Sequence, residues 1–209
     1  MKYLKVLVSA IMSGMCIGFG GAVFLSVDSK LVGAIFFTLG LFTICANGLQ
    51  LYTGKVCYFF RNDTTFKINI PIIWLGNLIG TGLTAFCLSC TRVYSGIQER
   101  AAALCEIKNS DSYLSLFVLG ILCNIMIFIA VEGYNKIPHE VGKYIALFLG
   151  VVVFILAGFE HSIADMFYYW AGAAWSVNGL IRVLVITAGN AVGGIVFTEV
   201  LNWLKTSKD

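Results

Sequence analysis

Six apolar stretches, at about 5–27, 31–61, 69–93, 112–133, 140–172 and 176–204, occupy nearly the whole of this 209-residue chain. Each is long enough for the ~20 residues that an α-helix needs to cross a hydrocarbon core. Only polar punctuation separates them, at 28–30, 61–67, 98–111 and 132–140, with a weaker boundary at 165–180. Lipid offers the backbone no hydrogen bonds, so such stretches can cross only as helices that satisfy themselves. The expectation is an all-α integral membrane protein, one transmembrane domain over 1–209, in which the lipid bilayer is a structural partner. Charged residues make up 12% of the chain, about half the share of a soluble domain. A net charge of +3 without a basic run gives no footing for nucleic acid.

The second and fifth stretches are too long for one simple crossing, and each is interrupted at membrane depth. Residues 47–54, Asn-Gly-Leu-Gln-Leu-Tyr-Thr-Gly, break the second, and residues 157–165, Ala-Gly-Phe-Glu-His-Ser-Ile-Ala-Asp, break the fifth. Glycines and polar groups at such depth mark a broken helix, tolerated only inside protein or beside a cavity. Gly76-Asn77-Leu78-Ile79-Gly80 in the third stretch answers Gly189-Asn190-Ala191-Val192-Gly193 in the sixth. Three helices followed by three, each set broken in its second member, predict a 3+3 repeat with halves at about 1–95 and 108–207. The halves start on opposite sides of the bilayer, so the repeat is expected to be inverted, with the path at its midplane interface. The glycine spacing is read first as close helix packing; the asparagines suit either a helix contact or a pore.

Placing both termini in the cytoplasm puts Lys2, Lys5, Lys55, Arg61, Lys67, Lys136, Lys143, Lys205 and Lys208 inside and Lys30, Arg92, Arg100, Lys108 and Arg182 outside. Nine against five favours that orientation. The basic start is followed by an apolar run longer than a signal peptide's, so it is read as a retained first helix. The seven cysteines are scattered, and the Cys87/Cys90 pair lacks the partners of a zinc site. They are read as small buried residues, and neither metal nor cofactor is expected.

An ionisable group inside a span costs ~2.5 kcal/mol or more and marks a functional site by default. Glu160, His161 and Asp165 meet at one break. His161 is read as facing the path, where imidazole can donate a hydrogen bond or exchange a proton near neutral pH. Glu160 is read as holding the loop through backbone amides or neighbouring side chains. His139, after a proline, is read as an exposed loop residue. No nucleophile–base–acid set is evident, so an enzyme is not expected.

At these residues the chain resembles the formate/nitrite transporter family. AGFEHSIADMF (157–167) is similar to that family's fifth-helix signature, GLQLYTGKV (48–56) to its second-helix loop and GNAVGG (189–194) to its sixth-helix pattern. The resemblance runs from about residue 5 to residue 204. It implies a homopentamer with one pore per protomer and an aquaporin-like fold, in a prokaryotic inner or plasma membrane. It places the central histidine on His161 and its threonine partner on Thr53. It implies anion attraction by Lys108 outside and Lys5 inside. The apolar constrictions fall on Leu41, Phe37 and Phe154 to one side of His161 and on Leu51 and Tyr52 to the other, with pore asparagines at Asn124 and Asn190. Tyr52 stands where phenylalanine is common, and Asp165 where asparagine is usual.

The expected function is passage of a small monovalent anion of the formate, nitrite or hydrosulfide class, or of its conjugate acid, together with a proton. Apolar rings exclude a bare ion because its desolvation is costly, whereas a protonated weak acid crosses as a neutral molecule. A neutral-solute channel of water or glycerol type is the alternative, with His161 as a hydrogen-bond donor only. Ordinary snorkelling is the competing account of both lysines.

Overall fold

The computed structural model describes residues 2–206; Lys208, counted above on the cytoplasmic side, and the last residue of the second half lie outside them. Nine α-helices form among the described residues: α1 Lys2–Ser26, α2 Lys30–Ala46, α3 Tyr52–Val56, α4 Thr64–Ser89, α5 Tyr94–Ser110, α6 Tyr113–Lys136, α7 Glu140–Ala157, α8 Ser162–Ala171 and α9 Val177–Thr206. Five of them (α1, α4, α6, α7 and α9) are long and apolar enough to cross a membrane. The second apolar stretch supplies α2, the short α3 and a 3-10 turn at Phe59–Arg61. The fold is that of an integral, multi-pass, all-helical membrane protein.

The polar punctuation works as caps. Val32 N–H donates to Ser29 Oγ at the start of α2, Phe66 N–H to Asp63 Oδ1 at the start of α4, and Ser115 N–H to Ser112 Oγ at the start of α6. Each satisfies one donor that a helix start leaves unpaired. Residues 98–111, expected to be only punctuation, are instead most of the helix α5. Its buried residues Ile97, Ala101, Cys105 and Lys108 are spaced by four, four and three, a helical stripe that seats α5 on α8. The glutamates and Arg100 outside that stripe made the segment read as a loop. The cysteines are all free, and Cys87 and Cys90 are exposed rather than buried.

The bundle is assembled from matched pairs. α1 packs on α4 as α6 packs on α9, α1 on α2 as α6 on α7, and α2 meets α7 between them. The glycines of the two G-N-x-x-G strings set the spacing of the first pairs. A Cβ on Gly80 would collide with the Ile11 carbonyl, and one on Gly193 with the Ile121 carbonyl. Backbone therefore touches backbone in both halves.

Both predicted breaks are present, at 47–51 between α2 and α3 and at 158–161 between α7 and α8. Each holds a glycine at positive φ, Gly48 at 62° and Gly158 at 74°, a conformation that ends a helix and strains any other residue. The half-helices then cross between the sets, with α3 against α9 and α8 against α4.

Candidate functional site

Two asparagines fix the breaks. Asn77 on α4 accepts from Tyr52 N–H at 2.9 Å and donates to the carbonyls of Ala10, at 2.8 Å, and Gln50, at 3.0 Å. Asn190 on α9 accepts from Ser162 N–H at 3.0 Å and donates to the carbonyls of Gly120, at 2.8 Å, and Glu160, at 2.9 Å. In both cases the amide reaches the first residue of a half-helix, a carbonyl two residues before it, and a carbonyl on the first helix of the same set. Gly48 thus matches Gly158, Gln50 matches Glu160 and Tyr52 matches Ser162 in one constant register. In that register Leu51 stands where His161 does, and Lys55 where Asp165 does.

The breaks meet at Thr53 and His161. Thr53 Oγ1 lies 2.9 Å from His161 Nε2, and Ala164 N–H donates to His161 Nδ1 at 3.1 Å. Nδ1 is therefore an acceptor, and in a neutral ring the proton sits on Nε2 and points at Thr53. His161 is thus the N-cap of α8 as well as a member of the site. Both residues are buried, Thr53 completely and His161 to 2% exposure. Phe154 stacks on the imidazole with ring centroids 5.6 Å apart, and Phe37 meets Phe154 edge-on at 6.1 Å.

A cavity lies on each side of this layer. One, of about 140 Å³, is lined by Leu41, Ile44, Cys45, Leu51, Lys55 and Asn135 among others. The other, of about 240 Å³, is lined by Phe154, Glu160, His161, Asp165, Lys108 and Lys30 among others. Leu41, expected beside Phe37 and Phe154, lines the first cavity with Leu51. Tyr52 is buried and donates its hydroxyl to the Thr187 carbonyl at 3.4 Å.

Lys108 lines the second cavity but is 7% exposed. Its ammonium pairs with Glu160 Oε2 and, at 3.0 Å, with Asp165 Oδ1. The second Asp165 oxygen is buried without a hydrogen-bond partner among the described residues. In the sequence Asp165 is one of three ionisable groups at the break and a departure from the family pattern; here it supplies a second carboxylate to one cation. Lys5 is exposed on the first turn of α1 and lines neither cavity.

Asn124 donates to the Asn190 carbonyl at 2.7 Å and to Cys57 Sγ at 3.6 Å, and its own side-chain oxygen is buried without a partner among the described residues. Asn190 spends its side chain on backbone. The paired G-N-x-x-G strings left Asn77 open between a helix contact and a pore, and in the structure it holds the first break. Sequence reasoning left Lys55 as one basic residue among nine. Among the described residues no group of three or more His, Cys, Asp or Glu side chains could hold a metal ion.

The formate/nitrite transporter family model matches residues 1–204. A probable formate transporter of Methanothermobacter thermautotrophicus is 25% identical over 98% of this chain and 90% of its own length. The nitrite transporter NirC of Escherichia coli (strain K12) is 27% identical over 96% of this chain and 83% of its own. Among solved structures, a pentameric formate channel with formate bound aligns with a TM-score of 0.82 at 24% identity, covering 98% of both chains. An ion channel of the same family aligns at 0.84 with 25% identity, covering 97% of this chain and 90% of that one. These relatives are transporters and channels rather than enzymes, and their likeness extends over both breaks and both cavities. The chain belongs to the formate/nitrite transporter family.

Proposed function

We propose that each protomer passes a small monovalent anion of the formate, nitrite or hydrosulfide class, or its conjugate acid, between the two cavities, past Thr53 and His161. The observation that carries this reading is the Thr53–His161 hydrogen bond. It joins the two breaks at a buried point, a polar pair among rings and aliphatic groups that exclude a hydrated ion. Leu41, Phe37, Phe154, Leu51 and Tyr52 form the apolar constrictions. A bare anion would lose its hydration there at a cost of several kcal/mol, so the species that crosses is the neutral acid. It gains its proton from water on one side and releases it on the other.

His161 acts as a donor. Its Nε2–H points at Thr53 Oγ1, which leaves the threonine hydroxyl proton free to reach the passing species. Carrying a proton on Nδ1 would displace the Ala164 N–H and uncap α8, which argues against a relay through imidazolium. Asn124 and Asn190 keep the half-helices in register beside the path. Glu160 and Lys108 hold the second cavity, and Lys5 adds a cation near the start of α1.

The matched contacts of the two halves support an inverted 3+3 repeat, with halves at about 1–95 and 108–207 and an aquaporin-like arrangement. The lysine and arginine count supports both termini in the cytoplasm. The first cavity then faces inward, at the end of the bundle where α2 and α6 finish. The close match to a pentameric channel supports a homopentamer with five separate paths.

The test is a flux panel in liposomes with formate, nitrite, hydrosulfide, acetate, lactate and glycerol at an acidic and a neutral pH. Weak-acid flux that rises as external pH falls, with glycerol excluded, is the expected result. Glycerol flux without anion flux would establish the neutral-solute channel instead.

A further inference from the structure

The two cavities differ in how their charges are paired, and the difference sits at one matched pair of positions. In the second cavity the ammonium of Lys108 is paired with two carboxylates, Glu160 and Asp165, and Lys30, which also lines it, donates to the Leu156 carbonyl. In the first cavity Lys55 stands at the position that matches Asp165. It lines the cavity, it is half-buried, and its ammonium has no hydrogen bond, ion pair or ring contact among the described residues. The nearby acid on α6, Glu132, is engaged elsewhere: it accepts from the Tyr58 hydroxyl at 2.8 Å and pairs with Lys136 at 2.5 Å. No carboxylate lines the cavity, while the Asn135 amide and the Tyr58 phenol do.

We propose that Lys55 is an anion-binding subsite in the first cavity, taking a small monovalent anion as it arrives from, or leaves toward, the end of the bundle where α2 and α6 finish. A half-buried ammonium without a counter-charge is costly, and an anion with one or two acceptor oxygens in a cavity of about 140 Å³ would satisfy it. The subsite rests on the transport reading for its role, though not for its existence. It differs from the expected device at Lys5, which is exposed and lines neither cavity. It gives the path a direction, because the ammonium at the Lys55 end is free to hold an anion while Lys108 at the other is already paired with carboxylates.

The experiment uses the full chain. Sodium formate and sodium nitrite are titrated calorimetrically into detergent-purified wild type, Lys55→Met and Lys55→Arg. Formate flux is then measured in oriented liposomes from each side separately. Lys55→Met is expected to weaken binding about tenfold or more, the scale of one charge-assisted contact. It should raise the half-saturating formate concentration from the Lys55 side and leave the opposite side unchanged. Lys55→Arg should restore most of the affinity. Equal changes from both sides, or unchanged binding in Lys55→Met, would overturn the subsite. If the wild type passes no anion but binds formate in a Lys55-dependent way, the transport reading falls and the subsite stands. If the wild type passes formate and Lys55→Met alters neither binding nor sidedness, the subsite falls alone.

Discussion

Asn77 and Asn190 each tie one broken helix to the bundle with the same three hydrogen bonds, one accepted from the first residue of a half-helix and two donated to carbonyls. Both side chains are fully buried. An unwound backbone in a membrane span needs such a partner, because no water is present to replace it.

Replacing either asparagine with alanine should therefore destabilise the fold by about 1–3 kcal/mol for each buried backbone group left unpaired. Thermal unfolding of the purified protein is expected to show comparable losses for Asn77→Ala and Asn190→Ala. If Asn190→Ala kept its midpoint while losing flux, its amide would be serving the permeating species rather than the break.

The same pair shows what the sequence could and could not reveal. The breaks were legible because glycines and polar residues interrupt long apolar runs, and the structure holds Gly48 and Gly158 at positive φ within them. Helix α5 was not legible as a helix. Its apolar stripe has only Ile97, Ala101 and Cys105 before Lys108, and a short stripe ending in a lysine resembles a solvated loop. The pairing of Lys108 with two acids was hidden as well, since Lys108 and Glu160 lie 52 positions apart and only packing of α5 on α8 brings them together. Charge counting finds Lys55 but cannot show that it lacks a counter-charge.

The His161 ring has two separable jobs, capping α8 through Nδ1 and donating to Thr53 through Nε2. His161→Asn can keep the first through its side-chain oxygen and lose the second. It should retain most of the stability, since a lost cap costs only ~1 kcal/mol, while formate flux falls at least tenfold. Thr53→Val should lower flux without touching the cap. Initial rates in liposomes, read beside thermal midpoints, check both; normal flux in His161→Asn would remove the imidazole from the path.

The ion cluster at Lys108 predicts an asymmetry between its members. Lys108→Met leaves Glu160 and Asp165 buried together without a cation, and breaking a buried pair in this way costs about 3–5 kcal/mol. The variant should express poorly or unfold at a much lower temperature. Removing one of the two like charges with the added substitution Asp165→Asn should recover part of that loss.

Asp165→Asn alone is the more informative change, because it keeps the Lys108–Glu160 pair and removes one negative charge from the second cavity. Asparagine is close to isosteric with aspartate, and its amide can still accept from Lys108 through the oxygen. Stability should change by no more than about 1 kcal/mol, the scale of one hydrogen bond. The cluster as described joins one cation to two carboxylates, and the substitution brings that cation and a single acid into balance. An anion approaching from this side then meets less repulsion, and screening by salt should matter less than in the wild type. The expected readout is a lower half-saturating formate concentration from the Lys108 side, with a weaker dependence on ionic strength and no change from the Lys55 side. An unchanged half-saturation in Asp165→Asn would mean that the aspartate carries no net charge in the resting cavity. That would place a proton on the carboxylate pair before any substrate arrives.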